Sequence, residues 1–135
     1  MLSRLRRGGR AGQAVVEAAL AFPLLLMLSL GVLQFALYEH ARAVLASAVQ
    51  EGARLAAEEG RGLEDGYARA RTLSNTGLGA SVERVEPAGA ADAEAVEMWI
   101  DTQLRPILPL PIADGLPIHV RAVVARERFR PGGGA

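Results

Sequence analysis

Residues 18–38 carry no formal charge, 21 in a row. At the ~1.5 Å rise of a helix they reach about 30 Å, the thickness of a bilayer's hydrocarbon core. The run therefore predicts a membrane-spanning helix. A basic leader with Arg4, Arg6, Arg7 and Arg10 precedes it, which is also how a cleaved secretory signal peptide begins. Such a peptide, however, has an apolar region of only ~7 to 15 residues and a small-residue exit. Here the apolar run is longer and passes into an amphipathic pattern, so a retained span is the expectation. Arginines before the span, against His40 and Arg42 beside Glu39 after it, place the N-terminus in the cytoplasm by the positive-inside rule.

Glu17 stands at the front edge of the run. An ionisable residue in a span costs ~2.5 to 3.5 kcal/mol when central and is by default a functional hypothesis; at the interface it is simply a hydrated acid. Counted from Gln13 as the first residue, Glu17 is the fifth. Gly12, Glu17 and the apolar helix together resemble the cleavage region of type IV prepilins, in which a membrane peptidase cuts after the glycine on the cytoplasmic side. Val16, Glu17, Ala19, Leu20, Pro23 with its leucines, Gly31, Phe35 and the Glu51-Gly52-Ala53-Arg54 string narrow this further. They resemble the N-terminal signature of the TadE-like family, minor pilins or pseudopilins of the tight-adherence (Flp-type) pilus system. The resemblance covers roughly residues 8–57. Ala18 departs from it where an aromatic is common, and Gln34 where an acid is common. It implies processing between Gly12 and Gln13, and an assembly role for Glu17 as partner to the freed amine of Gln13 on a neighbouring subunit. The partners it implies are other pilin or pseudopilin subunits, the pilus assembly platform, a prepilin peptidase and membrane lipid.

Within the span, Pro23 removes a backbone donor and loosens the helix near residue 19. Beyond it, Ala41, Val44, Leu45, Ala48, Val49, Gly52, Leu55 and Ala56 fall on one helical face. Glu39, Arg42, Ser47, Gln50, Glu51, Arg54 and Glu58 fall on the other. One helix of about 70 Å, from roughly Gln13 to Glu59 with Gly60 as C-cap, follows from that periodicity.

After Gly60, residues 63–74 read as a second helix with Leu63, Tyr67, Ala70 and Leu73 inward, ended by Asn75-Thr76-Gly77. The period then changes to two: residues 82–86 and 96–104 read as half-buried strands with a turn over residues 87–92 between them. A helix over residues 92–104 with Asp92 as N-cap is the competing assignment. Residues 105–117 hold four of the seven prolines and predict a stiff loop. Ile118, Val120, Ala122 and Val124 mark a third strand, and residues 131–135 a disordered tail.

The expected fold is α+β and pilin-like, a long N-terminal transmembrane and amphipathic helix packed on a small antiparallel sheet. The expected divisions are a leader over 1–12, a span over 13–38, an amphipathic extension over 39–60, an extracytoplasmic domain over 61–130 and the tail.

All 15 basic residues are arginine, and none of the 15 acids precedes Glu17. Cleavage after Gly12 removes four arginines and leaves a net charge of −4, which argues against a nucleic-acid partner. Cysteine is absent, so neither disulfides nor thiolate metal sites are available. His40 and His119 lack metal-pair spacing, and no nucleophile elbow or phosphate loop occurs. Neither a cofactor nor an enzymatic activity is expected. The chain reads as a membrane-inserted structural subunit; the alternative is an uncleaved, membrane-anchored envelope protein whose small domain binds a protein or ligand.

Overall fold

The computed structural model describes residues 6–107 and 115–126, with side chains from Gly12 onward. Helix α1, Arg6–Ala57, is one unbroken rod of 52 residues with Pro23 inside it. It begins seven residues earlier than expected, at Arg6, and passes straight through Gly12 and Gln13. Its C-terminal end falls at Ala57, two residues short of Glu59, because a turn takes over there. The Glu58 N–H donates to the Leu55 carbonyl and the Arg61 N–H to the Glu58 carbonyl. Gly60 sits in that turn with φ 79°, a conformation side chains disfavour. It therefore serves the turn and is not the C-cap.

The amphipathic reading of the upper half of α1 holds. Ala41, Leu45, Ala48, Val49 and Ala56 are at most 1% exposed, while the seven residues assigned to the other face are all exposed. Ala53, fully buried, joins the stripe.

Helix α2, Leu63–Leu78, packs against α1. Asp65 reaches back to accept a hydrogen bond from the Gly62 N–H at 3.2 Å, which ties down its first turn. The helix does not stop at Asn75-Thr76-Gly77. Thr72 and Thr76 hydroxyls donate to carbonyls four residues back and stay within the helix. Ser74 and Leu78 are buried, so packing carries the helix one turn further, to Gly79 at φ 52°.

The sheet has the order β1-β2-β3, antiparallel throughout, with β1 Pro87–Ala91, β2 Ala95–Leu104 and β3 Leu116–Ala125. Two expectations are corrected here. Residues 82–86 make only one bridge, Val82 to Leu104. The first strand is instead the segment 87–91 assigned to the turn, its register running from Pro87 opposite Ile100 to Ala91 opposite Val96. Between Val82 and Pro87 the chain carries one residue more than β2 does between Ile100 and Leu104, so it bulges and loses the ladder. Pro87 is tolerated because it opens an edge strand.

The actual turn is shorter. Asp92 Oδ1 accepts the N–H groups of Glu94 and Ala95, both at 2.7 Å, and folds the hairpin. Asp92 thus caps a turn and starts no helix; residues 95–104 are strand. Val96, Met98, Ile100, Thr102 and Leu104 all point inward, against the α1 stripe, as the alternation of a half-buried strand requires. The third strand is also as expected, although it begins at Leu116 and takes in Pro117 from the proline-rich stretch. The tail lies outside the described residues.

The outcome is an α+β fold: a long apolar helix whose upper half is laid on a small antiparallel sheet.

Candidate functional site

The lower half of α1 has no such cover. Val15, Val16, Leu20, Phe22 and the five residues from Leu24 to Leu28 are 51% to 69% exposed. The helix is long and apolar enough to cross a membrane. Its polar content is already muted, since the Ser29 hydroxyl donates to the Leu25 carbonyl at 2.8 Å within the helix. Apolar side chains held in water over this length cost roughly 25 cal/mol per Å², so cover by other apolar material would stabilise this surface.

Gly12, Gln13 and Glu17 stand at the foot of this bare segment, all exposed. A β-carbon on Gly12 would meet nothing within 4 Å, so no packing inside the chain requires glycine there. The need, if any, comes from outside. Gln13 and Glu17 are four residues apart on one helix and share a face. Among the described residues Glu17 has no hydrogen-bond or ion-pair partner.

Three further features lie at the junction of the bare and covered halves, where sequence reading had marked only a departure from a pattern. Gln34 is 6% exposed, and its Oε1 accepts the backbone N–H of Ile107 at 2.7 Å. Its Nε2 is buried without a partner among the described residues. Tyr38 donates its hydroxyl to the Pro117 carbonyl at 3.3 Å. The only trace of this in the sequence is a lone amide inside an uncharged run.

The two histidines are not brought together. His40 is exposed on α1, and His119 on β3 meets Asp101, its direct cross-strand neighbour on β2, at 2.5 Å on the outer face of the sheet. Among the described residues no cluster of three His, Asp or Glu could hold a metal ion.

No curated protein and no solved structure matches the chain. Residues 12–54, from the glycine at the foot of the bare segment to an arginine near the top of the buried stripe, match the family model for TadE-like protein. Over this helix, about a third of its length, the chain is similar to TadE-like proteins.

Proposed function

We propose that the protein is a TadE-like minor pilin or pseudopilin, a membrane-inserted structural subunit in the assembly of a tight-adherence, type IV-like pilus or a related secretion apparatus. The observation that carries the reading is the division of α1. The apolar stripe of its upper half is taken up by the small domain, and its lower half is bare, apolar and headed by Gly12, Gln13 and Glu17. Families of this kind are structural, and the bare helix is a surface for lipid first and for neighbouring subunits after. In this reading the N-terminus is cytoplasmic, the sheet is extracytoplasmic, and the protein is a single-pass component of the cytoplasmic membrane.

A prepilin peptidase would cut between Gly12 and Gln13, a bond that lies within the helix in the isolated chain. The three glycines at 8, 9 and 12 make that end the easiest to unwind, since each costs about 1 kcal/mol relative to alanine in a helix.

The test is the intact mass of the protein extracted from its host membrane. Loss of residues 1–12 is expected, and Gly12→Leu is expected to leave the precursor whole. A mature chain that still begins at Met1, in cells with an active prepilin peptidase, would leave the uncleaved anchored protein as the better reading.

A further inference from the structure

We infer that residues 105–107, the segment leaving β2, rest in the extracytoplasmic lipid surface beside the span, giving the protein a second membrane contact. This rests on the reading of α1 as a membrane helix and adds a partner for a part of the chain outside it.

The depth follows from the helix. If Glu17 is held at the cytoplasmic boundary by its charge, Gln34 stands 17 residues further along α1, ~25 Å at 1.5 Å per residue. The hydrocarbon core is ~30 Å thick, so Gln34 lies inside it, about 5 Å below its far edge. Tilt of the helix only lowers it. Because the Ile107 N–H donates to Gln34 Oε1 at 2.7 Å, the backbone at residue 107 shares that depth.

The chemistry of the segment suits a dry setting. A backbone N–H without a partner is costly in lipid, where no water replaces it. The Arg105 N–H donates to the Ser81 carbonyl at 3.1 Å, Pro106 has none, and the Ile107 N–H is taken by Gln34. All three positions therefore dispense with water as acceptor. The side chain at the tip is apolar and outward: Ile107 is 52% exposed, and it lines one hollow with Leu37, itself 36% exposed. Arg105, exposed on the same hollow, has the stem length to put its guanidinium among lipid phosphates. Tyr38, bonded to Pro117, occupies the level where tyrosines collect at membrane boundaries. The carboxamide of Gln34, a poor group to leave in lipid, is in turn covered by the segment it holds.

The chain has no cysteine, so single cysteines report without background. A nitroxide is attached to Ile107→Cys in the full chain, reconstituted in vesicles of phosphatidylethanolamine and phosphatidylglycerol. Its accessibility to oxygen, which partitions into lipid, is compared with that to a water-soluble nickel chelate. Leu33→Cys in the bare helix and Val123→Cys on the outer sheet face, 48% and 59% exposed in the parent residues, are the references. The label at 107 is expected to behave as that at 33, with oxygen severalfold favoured over the chelate, and the label at 123 in the opposite sense. A chelate-favoured label at 107, with 33 in lipid, overturns the inference and leaves the span intact. Shielding of 107 from both reagents, which would mean a second protein chain covers it, overturns it as well. A chelate-favoured label at 33 would overturn the membrane reading of α1 itself.

Discussion

Gly52 and Gly66 meet backbone to backbone where α1 crosses α2. A β-carbon on Gly52 would lie 2.7 Å from the Gly66 carbonyl oxygen, and one on Gly66 would lie 2.6 Å from that of Gly52. The Met98 side chain closes the third side, within 2.9 Å of both positions. Substitution with alanine must therefore push the two helices apart or displace Met98 from the core. Overpacking of this kind costs ~1 to 3 kcal/mol, offset by up to ~1 kcal/mol from the better helix propensity of alanine. Gly52→Ala and Gly66→Ala are each expected to lower the melting temperature by several degrees in detergent, followed by circular dichroism. Gly31→Ala, where a β-carbon meets nothing within 4 Å, is expected not to. Melting of all three with the wild type would mean the helices are not this close.

Acid sensitivity of the hairpin turns on Asp92. Hydrogen bonds from the Glu94 and Ala95 N–H groups, with help from Arg126, hold its carboxyl below the ordinary value of 3.8. A carboxyl lowered on folding stabilises the protein above its unfolded value, and that stabilisation is lost as pH falls through the folded one. The loss therefore begins near pH 3.8 and grows below it. Asp92→Asn keeps an acceptor but cannot ionise. Its stability deficit against wild type, measured by urea denaturation, is expected to be constant near neutrality and to shrink on acidification below that point. A deficit independent of pH would show that the charge contributes nothing.

Glu17 is expected to matter in assembly and not in export. If it pairs with the freed amine of Gln13 on a neighbouring subunit, removing it leaves a buried cation unpaired, at a typical cost of ~3 to 5 kcal/mol. Glu17→Ala then inserts normally, being more apolar, but fails to co-purify with partner pilins. Glu17→Gln is intermediate at best, since an amide accepts a hydrogen bond without balancing charge. Cleavage is followed in parallel by intact mass, so that a processing defect is recognised as such. Co-purification of the alanine variant at wild-type levels would remove the pairing mechanism.

What could be read in advance was what periodicity encodes. Leu45 and Val49 recur at helical spacing, and Val96, Met98, Ile100 and Leu104 at strand spacing, because each faces a core that one side of the element must fill. β1 escaped because Pro87, Gly89 and three alanines carry turn residues and no alternation. Gly89 is there for proximity: a β-carbon on it would lie 2.5 Å from the Glu97 carbonyl oxygen. The end of α2 was misplaced because local stop signals at Asn75 and Gly77 are outweighed by burial of Ser74 and Leu78, a tertiary effect. At the foot of α1, Gly12 and Glu17 stand out only through a resemblance, since within the described residues nothing packs against a β-carbon at Gly12 and Glu17 is exposed. Gln34 was visible as an oddity, but its partner lies 73 positions away in the chain, a distance no local pattern spans.

Pro23 gives the rod a mechanical character. It is the one proline in α1, and its missing N–H leaves the Ala19 carbonyl without its helical partner. Among the described residues the lowest hydrogen bond between α1 and the small domain is at Gln34, so the sheet braces the helix above that point, while Pro23 lies below it. From Pro23 to the end of the helix is ~50 Å at 1.5 Å per residue. A bend of about 10° at the proline, well within what such residues allow, therefore sweeps the top of the helix through ~9 Å. Any bend at the proline is thus magnified along the length of helix above it.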